Sequence, residues 1–187
     1  MKKLLFAAAA AALAAGPAAA QIPHITPFSF EGRAGVAVPT GDMNQSTDPG
    51  VVLSGSVTYH AIPLVGIYAG GTYARFSVDG GGNATDSGLD VGARIGIPTP
   101  LIPIDPWIKG GLVVHRIKTT DTGDDLTSDW GTGFEVGAGL GFGFGPLSVT
   151  PGISYVRYNA NNGLDGTDAG DFTTSYVKAD IGARIRL

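Results

Sequence analysis

The sequence predicts an all-β fold: an eight-stranded antiparallel up-and-down barrel that crosses a membrane with its strands. Three observations predict it. Residues 21–187 fall into eight runs with apolar side chains at every second position, no run has the length of a membrane-crossing apolar helix, and long polar connections alternate with shorter ones.

The 187-residue chain holds 30 glycines, 12 prolines, no cysteine and 15% charged residues. A disulfide framework, a thiolate metal site and a cysteine nucleophile are thereby excluded. Residues 1–20, MKKLLFAAAAAALAAGPAAA, begin with Lys2 and Lys3, continue as a short alanine-rich stretch and end in Ala18-Ala19-Ala20. This is the pattern of a cleaved secretory signal peptide, which leaves 21–187 as the domain expected to fold. With no cysteine after the cleavage point, a lipid-modified terminus is excluded as well. An exported chain that lacks an apolar helix of spanning length can cross a bilayer only as a closed barrel.

The eight runs follow in order. At 28–38, Phe28, Phe30, Ala34, Val36 and Val38 oppose Ser29, Glu31, Arg33 and Gly35. At 51–60, Val51, Leu53, Val57 and Tyr59 oppose Ser54, Ser56, Thr58 and His60. The third run, 66–78, is less regular, and sets Tyr68, Phe76 and Val78 against Gly71, Tyr73, Arg75 and Ser77. At 88–97, Leu89, Val91, Ala93, Ile95 and Ile97 oppose Asp90, Gly92, Arg94 and Gly96. Run 107–117 sets Ile108, Leu112 and Val114 against Lys109, Gly111 and His115. Run 133–144 alternates six apolar residues, Phe134 to Phe144, with Glu135 and five glycines. Run 147–158 opposes Leu147, Val149, Ile153 and Tyr155 to Ser148, Thr150, Gly152 and Ser154, with Pro151 as the irregular member. The last, 174–187, opposes Val177, Ala179, Ile181, Ala183, Ile185 and Leu187 to Tyr176, Lys178, Asp180, Gly182, Arg184 and Arg186.

The charged parity sets the sidedness. A basic side chain facing hydrocarbon at mid-depth costs roughly 2–4 kcal/mol, whereas inside a narrow barrel it can meet an acid, with glycines leaving room for long side chains. The expected lumen network is Glu31, Arg33, Arg75, Asp90, Arg94, Lys109, Glu135, Lys178, Asp180, Arg184 and Arg186. The opposite sidedness would give a soluble periplasmic lipocalin-like binding barrel with the apolar stripe inside.

Connections 39–50, 79–87, 118–131 and 159–171 are long and polar, against short segments at 61–65 and 145–148 and a proline-stiffened one at 98–105. Eleven of the 16 acids lie in the four long loops (Asp42, Asp48, Asp79, Asp86, Asp121, Asp124, Asp125, Asp129, Asp165, Asp168 and Asp171), which predicts an anionic outer end. The acidic runs 121–129 and 165–171 could take divalent cations, although they lack the full spacing of a calcium loop, and solvated turns are the plainer reading. The three histidines, His24, His60 and His115, have no metal-ligand spacing. A catalytic set of Ser154, His115 and Asp129 from separate strands is conceivable, but His115 reads more simply as a lumen or rim residue. Phe28, Tyr59, Tyr68, Trp107, Phe144 and Tyr155 suit an interfacial aromatic girdle, and Arg157 a contact with lipid phosphates. No cofactor motif and no basic patch for nucleic acid is present.

GRAGVAVPTGDM at 32–43, KGGLVVHR at 109–116 and EVGAGLGFGFG at 135–145 resemble the first, fifth and sixth strands of the eight-stranded outer-membrane barrels of the OmpA, OmpX and OmpW type. The C-terminal Asp180-x-Gly182-x-x-Ile185-x-Leu187 is similar to their terminal β-signal, with Leu187 where that family usually ends in an aromatic. The resemblance implies a Gram-negative outer membrane, lipid as surroundings, and the barrel-assembly machinery as a partner through the last strand. It also implies a structural or surface-interaction role without catalysis, the alternative being a porin-like channel for small solutes. His60 and His115 lack the His-x-Ser pair by which lipid A deacylases of this size resemble one another.

Overall fold

Extended backbone turns successive side chains to opposite faces, and that alternation builds the wall of the molecule. The computed structural model describes residues 27–45, 47–62, 64–78, 82–99, 104–120, 125–162 and 169–187. The signal-peptide expectation at 1–20 lies outside them. In chain order the strands are β1 (Phe28–Pro39), β2 (Gly50–Ile62), β3 (Val65–Ser77), β4 (Asn83–Gly96), β5 (Trp107–Thr120), β6 (Asp125–Thr127), β7 (Gly131–Gly139), β8 (Phe142–Phe144), β9 (Leu147–Asn162) and β10 (Ala169–Arg186). One 3-10 turn, Gly41–Gln45, follows β1.

Neighbours pair in the order β10-β1-β2-β3-β4-β5-β7-β9, and β9 pairs with β10, so the sheet closes into an antiparallel up-and-down barrel of eight staves. The two three-residue strands are local: β6 pairs with the outer end of β5, and β8 continues β7 along β9 in unchanged register. Pro151 explains that interruption of the run expected at 133–144. Leu140 donates its N–H to Pro151 O at 3.0 Å, but proline has no N–H to return the bond.

The short connections and the described chain ends share one end of the barrel. Phe144 and Leu147 pair across a two-residue turn in which Gly145 takes φ +67°, a conformation that other residues adopt only with strain. The connections after β1, β3, β5 and β9 lie at the other end. Three of them are markedly shorter than expected, because β4 starts at Asn83, β5 continues to Thr120, and β9 runs to Asn162 with β10 starting at Ala169.

Sidedness is settled by exposure. Leu89, Leu112, Ile181 and Phe144 are 67%, 67%, 63% and 66% exposed, while Glu31, Asp90, Arg94, Glu135, Lys178 and Asp180 are all buried inside. A water-soluble barrel would have the reverse, which overturns the lipocalin-like alternative. The third run is inverted relative to expectation. Tyr68, Thr72, Ala74 and Phe76 point inward, whereas Tyr73 and Arg75 point outward. Tyr68 and Trp107, expected in an interfacial girdle, are likewise interior, at 6% and 2% exposure.

The interior has two storeys. Toward the loop end, Ala37, Val52, Phe76, Val113, Val156 and Tyr176 form part of an apolar cluster against which Met43 of the 3-10 turn, Val78 and Ile117 pack. Toward the termini the filling is ionic.

Candidate functional site

The ionic storey centres on Glu31, which alternation along β1 points inward. Its Oε2 accepts from Arg94 Nη1 of β4 at 2.6 Å and from Arg184 Nε of β10 at 3.2 Å. Its Oε1 accepts from Thr150 Oγ1 of β9 at 2.6 Å and from Arg33. Arg33 in turn donates to Asp180 Oδ1 through Nε at 3.0 Å and Nη2 at 2.5 Å, and to the Thr150 carbonyl at 2.9 Å. One carboxylate thus gathers three guanidinium groups, so its loss would strand several charges.

Glu135 of β7 forms a second centre. Its Oε1 lies 2.6 Å from Lys178 Nζ and 2.8 Å from Lys109 Nζ. The third lies one storey up, where Asp90 Oδ2 accepts from Thr72 Oγ1 at 2.6 Å. His115 lies between two carboxylates, with Nε2 at 3.0 Å from Asp90 Oδ1 and Nδ1 at 2.9 Å from Asp86 Oδ1. Asp86, Gly88 and Asp90 share the inner face of β4, and the imidazole spans the gap that Gly88 leaves. A Cβ on Gly88 would stand 2.1 Å from His115 Cδ2. The Tyr158 ring packs against His115 at 5.4 Å between centroids.

Aromatic rings use glycine in the same way elsewhere. In register, Trp107 of β5 is followed by Gly139 of β7 and Gly152 of β9, and the indole lies within 2.7 Å of where either Cβ would be. Arg94 and Arg33 stack on this indole, 4.0 and 5.2 Å from its centroid. Tyr68 lies across Gly92 and Gly111 in the same fashion.

Of the expected network, Glu31, Arg33, Asp90, Arg94, Lys109, Glu135, Lys178, Asp180 and Arg184 converge inside the barrel. Two members do not. Arg75 points outward, where its Nε donates to Asn83 Oδ1 at 3.2 Å on the exposed surface, because the β3 parity is opposite to the expected one. Arg186 has the inward parity but lies at the rim, 3.6 Å from Asp105 and half exposed. Asp86, expected in an outer loop, is fully buried, and with His115 it completes the cluster that sequence reasoning missed. The period-two series Asp86, Gly88, Asp90 carried that signal.

Of the C-terminal motif, Asp180 and Gly182 face inward. A Cβ at Gly182 would come within 2.7 Å of Thr150 Oγ1 and Glu31 Oε1, so the glycine makes room for the network. Ile185 belongs to the outward parity, and Leu187 N–H donates to Phe28 O at 3.2 Å.

Among the described residues, five interior acids (Glu31, Asp86, Asp90, Glu135, Asp180) face five cations (Arg33, Arg94, Lys109, Lys178, Arg184), with the His115 imidazole beside them. The interior cavity between them, along Ser54, Ser56 and Thr58, measures about 30 Å³, room for about one water molecule. His115 faces Asp86 and Asp90, and Asp129 is an exposed residue, so the Ser154, His115 and Asp129 set is not assembled. Among the described residues no group of three or more His, Cys, Asp or Glu side chains is placed to hold a metal ion. Residues 121–124 and 165–168 of the two acidic runs lie outside the described residues.

A closed antiparallel wall with apolar side chains outside and neutralised charge inside defines a transmembrane β-barrel. The chain belongs to the outer membrane protein β-barrel domain family, whose family model matches residues 5–182. It is a bacterial outer-membrane protein. No curated protein matches it in sequence. Among solved structures it is similar to Neisserial surface protein A, with TM-score 0.65 and 16% identity over 87% of this chain and 98% of that one. Ail, the attachment invasion locus protein of Yersinia pestis, gives TM-score 0.54 and 14% identity over 84% and 97% of the two chains. The N-terminal barrel of Pseudomonas aeruginosa OprF gives 0.50 and 19% over 84% and 96%. At these identities the likeness is one of fold.

Proposed function

We propose that this barrel is a sealed outer-membrane anchor that presents its acidic loops for contact with other surfaces, without transport and without catalysis. The observation that carries the reading is the double filling of the lumen: paired charges below, and Phe76, Tyr176 and their apolar neighbours above. An eight-stranded bore is just wide enough for side chains to fill. A porin-like path would need continuous water, and the cavity between the charges holds about one molecule. Ail, described as an attachment invasion locus protein, has the same fold, and an attachment role of that kind suits loops rich in aspartate.

The outer face supports a lipid-bound setting. Arg75, Arg116 and Arg157 point outward at the loop ends of β3, β5 and β9, and Arg116 stacks on Trp130 at 4.9 Å. Cations at that level suit outer-leaflet phosphates. The last strand is the segment we assign to recognition by the assembly machinery, since it is the edge available until β1 pairs with it.

Planar-bilayer recording of the refolded protein tests the sealed lumen: current stays at the baseline of protein-free bilayers. A steady conductance would sink the reading. Adhesion of cells displaying the barrel to a polycationic surface should drop when the loop aspartates are changed to asparagine, and unchanged adhesion would remove the loops from the role.

A further inference from the structure

Among the buried donors that lack a hydrogen-bond acceptor among the described residues, three nitrogens line one place. They are Arg94 Nη2, Arg184 Nη2 and Trp107 Nε1. Their side chains are 8%, 5% and 2% exposed by residue. Together with His60, Gly96 and Arg186, they line a cavity of about 220 Å³ at the terminus-bearing end of the barrel. This cavity lies at the mouth of the filled lumen and shares Arg94 with the small cavity inside it, and nothing in the sealed-anchor reading requires it.

Glu31 explains why the donors are left over. It draws one nitrogen from each of Arg94 and Arg184, and its remaining oxygen serves Thr150 and Arg33. A guanidinium carries five N–H groups in a rigid fork, so each arginine keeps a second terminal nitrogen. Stranding such a charged donor in a buried site is costly unless something accepts from it. Asp105 is the one acid lining the cavity among the described residues. It lies 3.6 Å from Arg186, is more than half exposed, and faces three arginines and His60. The indole under Arg94, 4.0 Å away, fixes that guanidinium in place.

We propose that this mouth cavity binds an oxyanion of the phosphate class, which accepts from Arg94 Nη2, Arg184 Nη2 and Trp107 Nε1, with Arg186 supplying charge at the rim. Convergent guanidinium forks match the geometry of such a group. Its source is either an inner-leaflet lipid head group or a soluble periplasmic phosphate.

Trp107 is its own reporter. The chain has two tryptophans, so Trp130→Phe leaves Trp107 alone. Inorganic phosphate is titrated into this protein in zwitterionic nanodiscs, with chloride at matched ionic strength as control. The expected result is a saturable change in Trp107 emission with phosphate and none with chloride. Gly96→Val fills the cavity without removing a charge, since a Cβ at Gly96 meets only Leu64 at 3.8 Å. It should weaken the response about tenfold or more. Arg186→Gln, at the exposed rim, should weaken it less, and retained heat-modifiable gel mobility verifies that each variant has folded. In nanodiscs of anionic phospholipid, loss of the phosphate response identifies the lipid head group as the source, and an unchanged response identifies a soluble one. A non-saturating change, an equal change with chloride, or a full response in folded Gly96→Val overturns the proposal.

Discussion

Glu31→Gln is the sharpest test of the ionic filling. The substitution preserves shape and removes one charge from a position that accepts from Arg33, Arg94, Arg184 and Thr150. Glu31 is 6% exposed, so bulk water does not take over its role. Breaking a buried pair by deleting one partner costs about 3–5 kcal/mol, because the surviving charge is left uncompensated. Here Arg33 keeps Asp180, whereas Arg94 and Arg184 have no other acid within salt-bridge distance among the described residues, which places the loss toward the upper end of that range. Urea titration of the protein folded into lipid vesicles, read by tryptophan emission and by unheated gel mobility, measures it. Adding Arg184→Gln to Glu31→Gln should recover part of the loss, since it removes one stranded cation. A single-variant loss below about 1 kcal/mol, the range of ordinary surface changes, would refute the reasoning.

Other outcomes follow from the same geometry. Gly88→Ala should destabilise by about 1–3 kcal/mol in the same urea assay, because its Cβ would collide with His115 and with the Val114 carbonyl at 2.4 Å. Ile181→Lys, on the lipid face of β10, should cost roughly 2–4 kcal/mol, while Arg75→Gln on the outward rim changes stability by under about 0.5 kcal/mol. Leu187→Phe should raise the yield of folded barrel in membranes of growing cells, measured as the heat-modifiable fraction. An unchanged yield would remove that position from assembly.

The architecture was legible wherever charge marked one parity. In β1, β4, β7 and β10 the inward set contains Glu31, Asp90, Glu135 or Asp180, and the sign of each strand followed from the cost of a charge in hydrocarbon. In β3 the inward set is Tyr68, Thr72, Ala74 and Phe76, and the sole charge, Arg75, lies outward near the loop end. There the depth argument fails, since a cation above the hydrocarbon is cheap. Alternation alone has no sign, so the sequence pattern of this strand points to the wrong face. Trp107 misled for a related reason: an aromatic at a strand end suits an interface, and only the register reveals the glycines Gly139 and Gly152 that receive it. Asp86 was hidden by its neighbours, because Asp-Ser-Gly reads as turn chemistry until β4 is seen to begin at Asn83. The mouth cavity had no local signature, since its arginines come from strands that meet only when the sheet closes.

The contacts between Glu31 and Arg184, and between Arg33 and Asp180, stitch the first stave to the last. An open sheet that had inserted every stave but not zipped this final seam would hold both sets of charges facing hydrocarbon or stray water, with no gain to offset either. Intermediate degrees of closure are therefore disfavoured, and the cylinder should snap shut as one event: the residues that fill the lumen are also its latch.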